Sequence, residues 1–308
     1  MIEPVVVSVN ISKKKGTIKV PVPQIELNET GVEGDAHSGK WNRQVSLLGT
    51  ESFDSFELQA GRKLAYGEFA ENITTTGIVL NQTHPLDRFR IGGAELEVTQ
   101  IGKHCHGDGC AIYREVGNCV MPKEGIFCRV IKSGTIQAGD KVEYLPRVFN
   151  IKVITLSDRA STGEYTDRSG PAVAQLLNDF FDSMLWKTNI EREVLPDDAD
   201  YLKEIFDHLN GIDMIFTTGG TGIGPRDITV DVVEPILEKK LPGIMEMIRT
   251  RYGTDNPAAL LSRGVAGVIG ETLVYTLPGS VKAVEEYLSE IVKTLKHSIY
   301  MLHGLDIH

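Results

Sequence analysis

The residues best suited to chemistry sit in one stretch, Thr217-Thr-Gly-Gly-Thr-Gly-Ile-Gly-Pro-Arg-Asp227. Gly219, Gly220, Gly222 and Gly224 lack a Cβ, so the backbone there can approach a ligand and take positive φ. Thr217, Thr218 and Thr221 add hydroxyl donors, and Arg226 adds a planar fork suited to phosphate. The apolar run 214–218 before it reads as a buried strand. The apolar spacing after it reads as a helix reaching residue 237, with Asp227 or Thr229 as its cap. A strand, a glycine turn and a helix start would offer free N–H groups and a positive dipole end to an anion. The stretch lacks the Gly-Lys-Ser/Thr ending of a P-loop and the glycine spacing of a dinucleotide fingerprint. A plain tight turn is the competing reading.

Three other polar stretches share this character. Residues 157–170 include Ser157, Asp158, Gly163 and Asp167, residues 195–198 supply Asp197, and residues 277–280 supply Pro278, Gly279 and Ser280. Each follows an apolar run. Glycines and helix ends suit phosphates, whereas carboxylates repel them. A divalent cation, usually Mg²⁺ with a nucleotide, removes that conflict. Together the loops point to nucleotidyl or phosphoryl transfer; singly, each Asp serves equally well as a helix or turn cap.

The elements that must position these loops alternate in type. Strands are expected at 151–156, 190–194, 214–218 and 273–277, and helices at 170–181, 199–209, 230–237, 244–252 and 284–302. That order predicts an α/β domain with a mostly parallel sheet and helices on both faces, ligands binding at the carboxyl ends of the strands. The first half is different. Short Val- and Ile-rich runs at 4–9, 17–22, 44–48, 94–101, 125–131 and 141–144, with one helix at 52–60, predict a β-rich, barrel-like domain. Pro146 breaks the pattern between them, giving domains 1–146 and 147–308.

Bulk properties narrow the classes. At 308 residues and 41% hydrophobic content the chain suits two globular domains. A net charge of -10 argues against sequence-independent nucleic-acid binding. No apolar run approaches a membrane span, and the first residues read as a strand rather than a signal peptide, so a cytoplasmic location is expected.

All four cysteines, Cys105, Cys110, Cys119 and Cys128, lie in the first half. Lys103, His104 and His106 flank Cys105, and neighbouring cations raise the thiolate fraction, so Cys105 is the candidate reactive sulfur. Cys105, His106, Cys110 and Cys119 also offer metal ligands, though without a Cys-x-x-Cys pair. Cys110 or Cys119 offers a resolving thiol, and Cys128, alternating with Ile126 and Val130, reads as core. His37 and Arg43 suit a phosphate or simply loop carbonyls.

The second half resembles the molybdopterin adenylyltransferase family of molybdenum cofactor biosynthesis. The match rests on Leu156-Ser-Asp-Arg-Ala160, Leu195-Pro-Asp197, the glycine turn with Arg226-Asp227, and Leu277-Pro-Gly-Ser280. The resemblance implies transfer of AMP from Mg-ATP to the terminal phosphate of molybdopterin, and a homotrimer. By position it assigns Asp197 and Asp227 to catalysis and Mg²⁺. It gives Gly219, Gly220, Thr221 and Gly222, with Thr218 and Arg226 beside them, to the phosphates. Ser157, Asp158, Gly163 and Asp167 go to the substrate loop, and Pro278, Gly279 and Ser280 to the nucleotide. Val281 stands where the family often has proline, which loosens that turn.

Residues 31–37, 43–48, 67–74 and 100–105, with Asp140 in the closing turn, resemble the MOSC domain. That resemblance implies a domain that binds the molybdenum cofactor or carries sulfur through Cys105, with molybdenum-insertion or cysteine desulfurase partners. Two other functions fit the same residues: a non-catalytic molybdopterin-binding or storage protein, and a sulfurtransferase acting through Cys105.

Overall fold

The computed structural model describes residues 3–103 and 119–305. The expectations for His104, Cys105, His106 and Cys110 lie outside them. The described chain forms two compact units, residues 1–147 and 148–308.

The first unit holds strands β1 (Val5–Ile11), β2 (Val20–Val22), β3 (Gln24–Asn28), β4 (Gly31–Val32), β5 (Val45–Gly49), β6 (Ile73–Thr76), β7 (Arg88–Ile91), β8 (Ala94–Ile101), β9 (Ile126–Lys132), β10 (Gly134–Gln137) and β11 (Val142–Leu145), with helix α1 (Thr50–Ala60). Eight strands form one sheet in the order β11-β7-β8-β9-β5-β6-β1-β2, and β10-β3-β4 form another. A bridge from Val5 to Lys141, with Val6 N–H donating to Asp140 O at 2.8 Å, brings β1 beside the turn into β11 and curls the large sheet. Inward residues of both sheets share one core, including Val6, Ile25, Leu27, Leu47, Ile73, Phe89 and Ile136. Cys128 is part of it, and burial pushes its thiol well above the usual range. Sequence patterning located β1, β5, β8, β9 and β11 and missed β3, β4, β6, β7 and β10. The run expected at 17–22 forms a strand only from Val20.

The second unit holds β12 (Val148–Leu156), β13 (Lys187–Leu195), β14 (Met214–Thr218), β15 (Lys239–Lys240), β16 (Ala266–Ile269) and β17 (Thr272–Leu277). Its helices are α2 (Asp158–Ser161), α3 (Ser169–Ser183), α4 (Ala199–Phe206), α5 (Thr229–Val233), α6 (Pro242–Gly253) and α7 (Val281–Leu302). The sheet order is β13-β12-β14-β17-β16-β15. The first four strands are parallel, and β16 and β15 add an antiparallel edge. Alternation along β12 shows why helices cover both faces. Phe149 packs on Phe181 of α3 and on Trp186, which meets Tyr300 of α7. Ile154 and Leu156, of opposite parity, share a cluster with Leu202 and Phe206 of α4 and Val232 and Val233 of α5.

The helix expected to reach residue 237 is shorter. It is five residues long and passes into a 3₁₀ turn, Glu234–Ile236, where Pro235 removes an amide donor. Neither Asp227 nor Thr229 caps it: Ile228 holds the cap position without a side-chain bond. The Asp227 carboxylate instead accepts the Gly224 N–H at 2.7 Å, and the Thr229 hydroxyl donates to Gly219 O at 2.8 Å.

Candidate functional site

Strands β13, β12, β14 and β17 are consecutive neighbours and parallel, so the loops leaving their carboxyl ends open on one sheet edge. These loops carry the sequence-predicted residues: 157–167 after β12, 196–198 after β13, 219–227 after β14 and 278–280 after β17.

The glycine turn is shaped by close backbone approaches. Gly219 has φ +101° and Gly220 φ +62°, and a Cβ on Gly219 would lie 2.3 Å from Leu156 O. Only glycine combines that dihedral with that contact. Gly219 N–H donates to Leu277 O at 3.0 Å, and Thr229 N–H to Gly220 O at 3.1 Å, pinning the turn to β17 and α5. Between these anchors, the amides of Gly220, Thr221, Gly222 and Ile223 have no acceptor among the described residues. Four successive free N–H groups in a turn with left-handed glycines form a nest for an anion. A Cβ on Gly222 would meet Asp227 Oδ2 at 2.7 Å, so the absence of one lets the Asp227 carboxyl fold under the turn.

The carboxylates come together with Arg226. Asp158 N–H donates to Asp197 Oδ2 at 3.1 Å, and Asp197 N–H donates to Asp158 Oδ1 at 3.0 Å. Arg226 holds Asp158 in a forked pair: Nε to Oδ2 at 3.0 Å and Nη2 to Oδ1 at 2.7 Å. The Arg226 hydrogen bonds keep Asp158 below its ordinary carboxylate range. Burial, with the charges of Asp158 and Asp227, pushes Asp197 upward. Asp227 is therefore close enough to Asp197 to act on it electrostatically. Asp197 Oδ1 and Asp227 Oδ1 have no hydrogen-bond partner among the described residues.

Several of the expected residues already have partners within the chain. Thr217 and Thr218 are fully buried, and Thr218 Oγ1 donates to Pro278 O at 2.8 Å, so neither hydroxyl faces the loops' solvent side. Arg226 is not a free fork but is paired with Asp158. Asp167 is committed within the chain: Oδ2 accepts from Thr155 Oγ1 at 2.9 Å, and Oδ1 from Gly170 N–H at 3.1 Å at the start of α3. Ser157 and Ser280 cap α2 and α7, accepting the amides of Ala160 and Ala283. Gly163 stands in open space with φ +79°. Gly279 backs onto Gly219 at the foot of the glycine turn.

Sequence reasoning missed Arg263. Its Nε donates to Gly222 O, its Nη2 to Asp227 O and its Nη1 to Asp231 Oδ1, each at 2.7 Å. Its backbone N–H donates to Thr221 O at 2.8 Å. One guanidinium thus grips both ends of the turn. The available signal was a polar Ser-Arg-Gly step just before an apolar strand.

In the first unit, Lys19 and Asp35 form a buried ion pair, Nζ to Oδ2 2.5 Å. Burial lowers the Lys19 pKa; for Asp35, burial opposes but hydrogen bonds from His37, Lys19 and Ser12 win and hold it well below the carboxylate range. Asp140 caps its turn by accepting the Gln137 N–H at 2.9 Å. His37 donates its N–H to Asp35 Oδ1 at 2.9 Å, and Arg43 lies over the Trp41 ring.

The fold defines a two-unit protein whose second unit gathers four polar loops at one sheet edge. Comparison with known proteins makes this specific. Residues 152–297 match the family described as a probable molybdopterin binding domain, and residues 34–143 match the MOSC domain. A molybdopterin adenylyltransferase of Pyrococcus furiosus is 37% identical over 164 residues, covering 50% of this chain and 93% of that protein. Gephyrin of Dictyostelium discoideum is 35% identical over 163 residues, but the chain spans 22% of gephyrin's length. The solved tungsten cofactor synthesizing protein MoaB from Pyrococcus furiosus is 35% identical, covering 52% of this chain and 98% of that one, with TM-score 0.44. The chain belongs to the molybdopterin adenylyltransferase family through its second unit, joined to a MOSC domain, and it takes its place in molybdenum cofactor biosynthesis.

Proposed function

We propose that the second unit adenylylates molybdopterin with Mg-ATP. A terminal phosphate oxygen of molybdopterin attacks the α-phosphorus of ATP and forms a new P–O bond. The bond from the α-phosphorus to the bridging oxygen breaks, and its electron pair leaves with pyrophosphate. Such a step rests on positioning and charge neutralisation. The observation that carries this reading is the set of four unpaired amides, Gly220 to Ile223, beside the Asp158–Asp197–Arg226 cluster and Asp227.

In this reading the amides hold phosphate oxygens, and Arg226 exchanges Asp158 for a phosphate as substrate enters. Asp197 and Asp227 fit Mg²⁺, each having one carboxylate oxygen without a protein partner, and hard oxygen donors suit that cation. No group of three or more His, Cys, Asp or Glu side chains arranged to hold a metal occurs among the described residues, so substrate phosphates and water would complete the shell. When bound, the cation supplies neutralisation of the phosphate charge.

The first unit is proposed to bind the molybdenum cofactor or to carry sulfur through Cys105, and the whole to act as a cytoplasmic homotrimer. The test is to incubate the purified protein with Mg-ATP and molybdopterin and follow pyrophosphate and adenylylated pterin. Asp227→Asn is expected to stay folded and lose at least about 100-fold in turnover, in the range for removing one transition-state contact. Wild-type rates in the folded variant would defeat the assignment. Pterin binding without product would favour the non-catalytic reading.

A further inference from the structure

In a planar trans peptide the C=O of one residue and the N–H of the next point in opposite directions, so a bond that fixes the oxygen also aims the following amide. The four free amides of the glycine turn, Gly220 to Ile223, are therefore governed by the carbonyls of Gly219, Gly220, Thr221 and Gly222. All four oxygens are held, and two residues hold them. Thr229 Oγ1 donates to Gly219 O at 2.8 Å, and Thr229 N–H donates to Gly220 O at 3.1 Å. Arg263 N–H donates to Thr221 O at 2.8 Å, and Arg263 Nε donates to Gly222 O at 2.7 Å. Thr229 thus orients the amides of Gly220 and Thr221, and Arg263 orients those of Gly222 and Ile223.

Both residues are themselves fixed. Thr229 is fully buried at the start of α5, and its own N–H, the kind a helix start would offer to an anion, is spent on Gly220 O. A Cβ on Gly220 would lie 2.4 Å from Thr229 Oγ1, so only glycine lets the turn sit this close to that hydroxyl. Arg263 is anchored at its far end by Asp231, Nη1 to Oδ1 at 2.7 Å and Nη2 to Oδ2 at 3.1 Å. A charged donor on a carbonyl also polarises that peptide and strengthens its N–H. The guanidinium therefore acts from the carbonyl side of the turn, while the amides point the other way.

We infer that Thr229 and Arg263 are positioning residues that set the turn in its anion-receiving form: each fixes two successive peptide planes, and together they aim four N–H groups away from themselves. In this role, which rests on the turn receiving phosphate, neither residue touches the anion. Donors aimed in advance need no rearrangement when it binds.

The test uses the full chain labelled with ¹⁵N, residual dipolar couplings to read the N–H directions at 220–223, and inorganic pyrophosphate as the probe. Thr229→Val removes the bond to Gly219 O but keeps the backbone bond to Gly220 O, so the Gly220 amide alone is expected to lose its fixed direction. Arg263→Met removes the bond to Gly222 O but keeps the backbone bond to Thr221 O, so the Ile223 amide alone is expected to lose its direction. Each variant is expected to bind pyrophosphate at least about tenfold more weakly, the loss of one well-aimed contact. Thr229→Ser, which keeps the hydroxyl, is expected to restore both direction and affinity. Arg263 is only partly buried, so Arg263→Met remains decisive if Thr229→Val does not fold. Unchanged N–H directions, or unchanged affinity in folded Arg263→Met, would overturn the inference alone. Wild-type amides at 220–223 that do not shift with pyrophosphate would overturn the phosphate reading of the turn, and this role with it.

Discussion

Asp158 and Asp197 exchange hydrogen bonds, each carboxylate accepting the other's backbone amide, at 3.1 and 3.0 Å. Two like-charged residues from loops after neighbouring strands are thereby held side by side. The arrangement is tolerable because each carboxylate faces an N–H rather than the other charge, and because Arg226 neutralises Asp158. It fixes the position of Asp197 while leaving one of its oxygens unpaired.

Asp158→Asn should separate the two roles of this residue. Its Oδ1 can still accept the Asp197 N–H, but the forked pair with Arg226 is lost. The expected result is a folded protein with little change in melting temperature and adenylylation reduced about tenfold, the size of one charge-assisted contact. Asp158→Ala removes both roles and should cost about tenfold more again. Equal rates for the two variants would show that the exchange with Asp197 has no bearing on turnover.

The acid limb of activity should report Asp197. Its folded pKa is raised by burial and by neighbouring carboxylates, while Arg226 lowers it. If the ionised form is required, kcat/KM falls on acidification at a higher pH than an ordinary Asp would give. The sign for stability is opposite: the proton is held more tightly in the folded state, so Asp197 contributes stability below its unfolded pKa that is lost as pH rises through the folded one. Arg226→Gln should move the acid limb to higher pH, and Asp158→Asn should move it lower. Limbs that move together would assign the titration to another group.

Much of this site was legible because its residues lie in contiguous loops after apolar strands. β8 and β14 match their expected limits, β8 because Gly93 and Gly102 bound its alternating run and β14 because its short buried run stops at Gly219. β13 was expected at 190–194 but runs Lys187–Leu195, since an edge strand pairing along all of β12 needs no apolar face at its polar end. β7 and β6, Arg-Phe-Arg-Ile and Ile-Thr-Thr-Thr, carry too few apolar residues to show the period, although their neighbours bury them. Arg263 was invisible for another reason. It acts through carbonyl oxygens of a turn some forty residues earlier, which no local spacing encodes.

Gly219 and Gly163 both have positive φ but should respond differently to alanine. A Cβ on Gly219 would meet Leu156 O at 2.3 Å, whereas Gly163 has nothing within 4 Å. Gly163→Ala should cost about 1 kcal/mol, the left-handed penalty alone. Gly219→Ala should cost about 3 kcal/mol or more, because β12 or the turn must shift, and should abolish phosphate binding with it. Chemical denaturation of the two variants tests this, and equal losses would show that the turn yields without strain.

Glu71 is expected to set the pH response of the first unit. The residue is fully buried, its Oε1 accepts from Gly67 N–H and from Thr74 Oγ1, and its Oε2 has no partner. Burial pushes its pKa up to about 7 from 4.5, with Lys19 and the hydrogen bonds opposing. The folded state therefore binds this proton more tightly than the unfolded chain. The stability it contributes is complete below pH 4.5 and is lost as pH rises through about 7. The change is on the order of 3 kcal/mol. Asp35 works in the other direction at the acid end, its depressed pKa adding stability that disappears only as pH falls below the ordinary carboxylate range. Glu71→Gln keeps an acceptor for Gly67 and Thr74 and removes the titration. Unfolding of the first unit, followed by hydrogen exchange of its sheet amides, should therefore lose its slope between about pH 5 and 8 in the variant while keeping the acid loss from Asp35. An unchanged slope would place the titrating group elsewhere and leave the Glu71 carboxyl ionised inside the core, a state that Lys19 at its side would then have to stabilise.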